Sequence, residues 1–145
     1  HNRTRNMRAE NDLGAAYVEL DELLATSDFV ALNMPLTQET RGMIGRRELG
    51  LMKRTAVLIN AARGAVVDHD ALFECLSRKD IYAAGLDVTD PEPLPRDHPL
   101  LDLDNLVVVP HLGSATVQTR DAMARRSVEN LIAGLREQRL PSQVA

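Results

Sequence analysis

Three side chains with complementary chemistry stand at positions 63, 92 and 111 of this 145-residue chain. Arg63 lies between Ala62 and Gly64, straight after an apolar run, and its planar guanidinium can hold a carboxylate through two parallel hydrogen bonds. His111 also follows an apolar run and is flanked by Pro110 and Gly113. Imidazole takes or gives a proton near neutral pH, which suits general acid–base work. Glu92 is held between Pro91 and Pro93, and a carboxylate beside the histidine would favour the imidazolium, making it a proton donor. Each residue also has an ordinary use: a surface ion pair, a structural imidazole, a solvated loop carboxylate. Together they describe a site for an anionic carbonyl compound, with an anchor, a proton donor and a group that tunes the donor. Such a set permits reduction of a 2-oxo acid but does not identify the source of hydride.

Groups so distant in the chain can meet only if the fold delivers them, and the intervening sequence alternates in type. Leu20 to Ala25 reads as a short helix and Asp28 to Asn33 as a buried strand that Pro35 ends, before a polar loop from Thr37 to Thr40. Arg46 to Met52 reads as another helix. Thr55 to Asn60 is apolar nearly throughout, the pattern of a strand covered on both faces. Asp68 can cap a helix over His69 to Ser77. Tyr82 to Val88 reads as a third strand, closed by a proline-rich loop from Pro91 to Pro99, and Leu106 to Val109 as a fourth. From Ser114 the pattern is helical, with Ala124, Val128, Leu131, Ile132 and Leu135 on one stripe. The alternation predicts an α/β fold with right-handed crossovers and a mainly parallel sheet. In such sheets ligands gather beyond the carboxyl ends of the strands, where residues 35–40, 60–64, 87–93 and 111–116 fall. Gly64 is read as supplying backbone freedom for the exit from the second strand.

Composition narrows the class. The net charge of -4, with basic residues scattered, argues against nucleic acid or an anionic membrane as partner. The exception is a dense basic opening, His1-Asn2-Arg3-Thr4-Arg5 with Arg8. Cys75 is the single cysteine, so neither a disulfide framework nor a thiolate metal site is expected, and a reducing, cytoplasmic setting fits. Within its apolar, helix-like stretch it reads as a buried, inert thiol. No apolar run reaches membrane-spanning length, and no metal site is expected.

At this point the motifs resemble those of the D-isomer-specific 2-hydroxyacid dehydrogenases. The resemblance is carried by Ser27-Asp28-Phe29-Val30, Pro35-Leu36-Thr37 with Glu39-Thr40, Asn60-Ala61-Ala62-Arg63-Gly64, Gly85-Leu86-Asp87-Val88, Pro91-Glu92-Pro93 and Pro110-His111-Leu112-Gly113-Ser114-Ala115-Thr116. These run in the family's order over nearly the whole chain. The resemblance implies an incomplete Rossmann-like, doubly wound parallel sheet with a long C-terminal helix. It assigns residues 1–113 to a partial NAD(P)-binding domain and 114–145 to a helix and tail returning toward a substrate domain. It further implies that Arg63 binds the substrate carboxylate and polarises its carbonyl, that His111 protonates the carbonyl oxygen as hydride arrives, and that Glu92 pairs with His111. Asp87 and the segment Asn60-Ala61-Ala62 would meet the nicotinamide end, Pro35 would border the coenzyme, His111 and Gly113 would face it, and Ser114 would join Arg63 and His111 at the substrate. Asp87-Val88-Thr89, Pro91-Glu92-Pro93-Leu94-Pro95, Asp97 to Leu101, Asn130 to Leu135 and Pro141-Ser142 are similar to the glyoxylate/hydroxypyruvate reductase branch. Bacterial 2-ketogluconate reductases and the NAD(H)-sensing corepressors derived from dehydrogenases are the alternatives. Relatives are usually homodimers.

The opening residues bear on coenzyme choice. NAD-preferring relatives usually carry an acidic residue after the second strand to bind the ribose 2′-hydroxyl. Here Asn2, Arg3 and Thr4 fall in that neighbourhood without an acid, an arrangement suited to a 2′-phosphate, so NADPH is expected over NAD. A Gly-x-Gly-x-x-Gly turn is absent from the 145 residues, and the chain lacks an initial Met. The expectation is therefore that the first βα unit and part of the substrate domain lie upstream. Without that turn the pyrophosphate loses a helix N-terminus, and the chain alone is expected to be inactive or nearly so.

Overall fold

Four apolar runs become strands in the computed structural model, which describes residues 1–144: β1 (Phe29–Leu32), β2 (Val57–Asn60), β3 (Ala83–Leu86) and β4 (Leu106–Val108). They lie side by side in chain order, and every neighbouring pair is parallel. Leu32, Asn60 and Leu86 are level across the sheet, so the loops that leave β1, β2 and β3 rise from one edge. Each strand is shorter than its apolar run by up to two residues at an end, because the ladder stops where the chain turns into these loops.

Helices α1 (Met7–Leu13) and α2 (Leu20–Thr26) precede β1; α3 (Arg46–Leu51) links β1 to β2, and α4 (His69–Ser77) links β2 to β3. A 3-10 turn, Pro99–Asp102, precedes β4, and α5 (Val117–Leu135) follows it. Local capping explains several of these boundaries. Asp68 accepts the Ala71 amide at 3.0 Å to start α4, and Glu48 accepts the Gly45 amide at 3.1 Å at the start of α3. The sequence reading missed α1, which has no buried residue and hence no apolar periodicity. Its end signals were nevertheless present: Asn6 accepts the Ala9 amide at 3.0 Å, and Gly14 closes the helix in the left-handed region at φ 63.

Residues 1–110 and those from His111 onward form two compact units. In the first, Val30, Leu32, Leu58, Asn60, Ala84 and Leu86 turn one face of the sheet onto a core containing Leu24, Leu49, Val66, Leu72, Leu76 and Leu100. The residues of the other face are less buried. Phe29 is 72% exposed and Val107 64%, and Val57, Ile59, Ala83 and Gly85 are only half-buried. Within the first unit the second strand is therefore buried on one face and half-buried on the other. The helix and 3-10 turns that link its strands serve one face, and an apolar alternation cannot report which layer is present. Cys75 is buried as expected, and burial, with the Asp80 charge, raises its thiol above the ordinary range.

The second unit consists of a turn, α5 and a short tail. Thr116 caps α5 by accepting the Thr119 amide at 3.2 Å, two residues beyond the expected start. The stripe Ala124, Val128, Leu131, Ile132 and Leu135 is exposed, and Ala133 is the buried residue of the helix.

Candidate active site

Beyond β2 the chain makes a turn held from within. Asn60, fully buried, uses both ends of its side chain: its Oδ1 accepts the Ala62 amide at 3.1 Å, and its Nδ2 donates to the Arg63 carbonyl at 3.0 Å. Its backbone carbonyl accepts the Asp87 amide at 2.9 Å, tying the start of the next loop to the same point. A buried amide that satisfies both its donor and acceptor capacity fixes the turn's shape. Ala62 is buried, while Ala61 and Arg63 are exposed on the rim. One Arg63 Nη donates back to the Ala62 carbonyl at 2.6 Å.

Gly64 is needed for a reason other than the one inferred from sequence. Its backbone is not in the left-handed region; the positive-φ glycines are Gly14 and Gly42. Instead, a β-carbon on Gly64 would lie 2.0 Å from both the carbonyl carbon and oxygen of Thr89, and 2.5 Å from the Asp90 nitrogen. The backbone of the loop after β3 therefore lies directly on Gly64, a closeness that only a residue without a side chain allows. That contact is between chain segments 25 residues apart, so no local pattern announces it.

The loop after β3 carries Asp87, half-buried, and Glu92, exposed. Between them sits Thr89, 8% exposed, which the sequence analysis quoted within the Asp87-Val88-Thr89 motif without giving it a role. Its hydroxyl donates to the Pro91 carbonyl at 2.8 Å and its amide to Glu92 Oε2 at 3.3 Å. Arg63 and Glu92 are thus delivered from the carboxyl ends of adjacent parallel strands.

The opening segment sorts its basic residues. Arg5 is paired with Glu10, with its guanidinium 5.3 Å from the centre of the Tyr17 ring, and Arg8 pairs with Asp12 at 3.4 Å. The Asn2 side-chain oxygen accepts the Arg3 amide at 2.9 Å. Asn2, Arg3 and Thr4 are all exposed, as is Pro35. Arg3 stands close enough to the loop after β1 to act on Glu39. The Thr37 hydroxyl, at 2.7 Å, does most to hold that carboxyl below its usual range, and the Arg3 charge adds to it.

His111, the first residue of the second unit, has a left-handed backbone, φ 53. Histidine tolerates this region better than most residues, but the conformation costs on the order of 1 kcal/mol and concentrates at functional positions. His111 and Gly113 are exposed and Ser114 is half-buried. Among the described residues no group of three or more histidine, cysteine, aspartate or glutamate side chains could hold a metal ion. No helix among them is long and apolar enough to cross a membrane.

One buried group was not foreseen. His69, at the start of α4, is 9% exposed, and neither ring nitrogen has a well-formed hydrogen bond. Its ring meets that of His98 edge-on, with centroids 6.3 Å apart, in a cleft also lined by Arg41, Asp68, Asp70 and Asp90. Burial, followed by the His98 charge, lowers its pKa against the raising influence of Asp90 and Asp68.

Known proteins give the same architecture. The family model for the NAD binding domain of D-isomer specific 2-hydroxyacid dehydrogenases matches residues 1–113. The glyoxylate/hydroxypyruvate reductase B of Enterobacter agglomerans is 53% identical over 133 residues, covering 92% of this chain and 41% of the reductase. A crystal structure of a Thermus thermophilus protein matches with a TM-score of 0.85 and 52% identity, over 88% of this chain and 41% of that one. The NADPH-dependent glyoxylate/hydroxypyruvate reductase of Sinorhizobium meliloti, solved with NADP and malonate, matches with a TM-score of 0.79 and 34% identity, over 87% and 39%. The chain therefore spans about two fifths of the length of these relatives.

Proposed function

Because the chain belongs to the D-isomer specific 2-hydroxyacid dehydrogenase family, matching its NAD binding domain, we propose that it serves an NADPH-dependent reductase of short 2-oxo acids, of the glyoxylate and hydroxypyruvate type. The observation that carries this reading is the placement of Arg63 and Glu92, both exposed, on loops that leave the carboxyl ends of the paired strands β2 and β3. That edge is where ligands of parallel sheets bind.

In this reading Arg63 anchors the substrate carboxylate through its planar fork and draws electron density from the adjacent carbonyl. His111 gives its proton to the carbonyl oxygen, and Glu92 is the carboxylate that favours the charged imidazole beforehand. Ser114 contributes to substrate binding alongside them. Bound coenzyme supplies the hydride. The residues fit a dinucleotide at this rim: Ala61 is exposed and small, and Asp87 is tied to Asn60 at the strand ends. We assign Asn60, Ala61, Ala62 and Asp87 to the nicotinamide end, with Pro35, His111 and Gly113 also facing the coenzyme. Asn2, Arg3 and Thr4 are assigned to the 2′-phosphate; all three are exposed and none is acidic, which supports the preference for NADPH over NAD. Residues 1–113 form the coenzyme-binding part and 114–145 lead back toward a substrate domain, in a protein that is cytoplasmic and homodimeric.

The test is an assay of the product of the whole reading frame with glyoxylate, hydroxypyruvate and 2-ketogluconate, each with NADPH and NADH. NADPH oxidation with the two shorter acids is the expected result. Preference for 2-ketogluconate would reassign the substrate, and coenzyme binding without turnover of any acid would make the protein a sensor instead.

A further inference from the structure

We propose that Thr89 is a positioning residue that holds the Glu92 carboxylate and keeps its loop in register with the Arg63 turn. The inference rests on the reading of Arg63 and Glu92 as site residues, and adds a role for a residue to which the motifs assign none. Thr89 makes two bonds within its own loop. The hydroxyl donates to the Pro91 carbonyl at 2.8 Å, closing the turn over Asp90, and the amide is thereby directed at Glu92 Oε2, 3.3 Å away. Thr89 itself is buried, at 8% exposure, while both acceptors belong to exposed residues, so the two bonds fasten the exposed part of the loop to a buried point.

The second half of the argument is the opposite face of Thr89. Its carbonyl group lies where a Gly64 side chain would begin, 2.0 Å from that β-carbon position. Gly64 is bonded to Arg63, and the Arg63 carbonyl is fixed by the buried Asn60 amide at 3.0 Å. One uninterrupted set of contacts therefore runs from Asn60 through Arg63 and Gly64 to Thr89 and Glu92. An anchor and a carboxylate that must face one small anion need their separation fixed to a fraction of an ångström, and backbone packed on backbone is the stiffest link available. Thr89 owes its place to both requirements: a hydroxyl short enough to reach the Pro91 carbonyl, and a backbone free to press on Gly64.

The experiment is an amide NMR titration of the 145-residue chain without coenzyme. In the wild type the Thr89 amide signal moves with pH as the Glu92 carboxyl gains its proton, and in Glu92→Gln that movement disappears. In Thr89→Val the movement shrinks at least twofold, because the hydroxyl no longer directs the amide, and Thr89→Ser restores it. A Thr89 amide that ignores Glu92→Gln overturns the proposal, even if Thr89→Val fails to fold. Wild-type movement in a folded Thr89→Val overturns the role of the hydroxyl. The readout needs no turnover, so failure of the dehydrogenase reading and failure of this one are seen separately.

Discussion

A guanidinium that grips a carboxylate through two parallel bonds cannot be replaced by an ammonium of equal charge, because a point donor fixes neither the plane nor the distance of its partner. Under the proposed function, Arg63→Lys in the whole protein is expected to lose about 2–3 kcal/mol of transition-state binding, roughly 30- to 150-fold in kcat/KM. His111→Gln is expected to lower kcat by roughly 10²–10⁴-fold, since no other group is assigned to give the proton. Steady-state kinetics with hydroxypyruvate checks both, and near-normal turnover in either variant would remove that residue from the mechanism. Gly64 is tested through stability. A β-carbon 2.0 Å from backbone atoms of Thr89 cannot be accommodated by rotating a side chain, so Gly64→Ala is expected to cost about 2 kcal/mol or more in urea unfolding. An unchanged midpoint would show that the two loops part easily. The motif made the importance of this glycine legible, but its reason was not: a close approach across 25 residues has no local mark, whereas a turn glycine and a contact glycine look alike in sequence.

Helix α4 shows how an element can be read correctly and still hide its most telling residue. Its span, His69–Ser77, and its Asp68 cap agree with the sequence pattern, because capping and apolar spacing are local. The burial of His69 is set by the loops that pack over the helix start. Its folded pKa is lowered, by burial first and the His98 charge next, with Asp90 and Asp68 opposing; Arg41 and Asp70 line the same cleft. The unfolded chain therefore binds the proton more readily than the folded one. The stability this residue supports is complete above about pH 6.5, the unfolded value, and falls as the pH drops below it. Urea midpoints measured from pH 5 to 8 should decline at the acid end, and His69→Leu should flatten that decline. A variant as acid-sensitive as the wild type would move the effect to other groups. Helix α1 went unread for the complementary reason: its two end signals are local, but it buries nothing that would give it a period.

At the scale of the molecule, coenzyme affinity depends on parts that must all be present together. The eight glycines of the chain include no Gly-x-Gly-x-x-Gly turn, the element that offers backbone amides and a helix N-terminus to a pyrophosphate. Titration of the 145-residue chain with NADPH is therefore expected to show no saturable binding in the micromolar range; tight binding would mean that other amides take over this task. The amino-acid sequence alone determined the family, the α/β class and the parallel sheet implied by alternating elements, and it supplied the candidate reactive residues, because motifs and periodicities are written in consecutive positions. Tertiary packing decided which face of the sheet is covered and that Asn60 turns its amide inward to shape the Arg63 turn. It also seated Thr89 against Gly64 and closed His69 in without a well-formed hydrogen bond. Each of these depends on which distant backbone arrives at a given point, and close packing, unlike periodicity, is a property of pairs that the order of residues does not display.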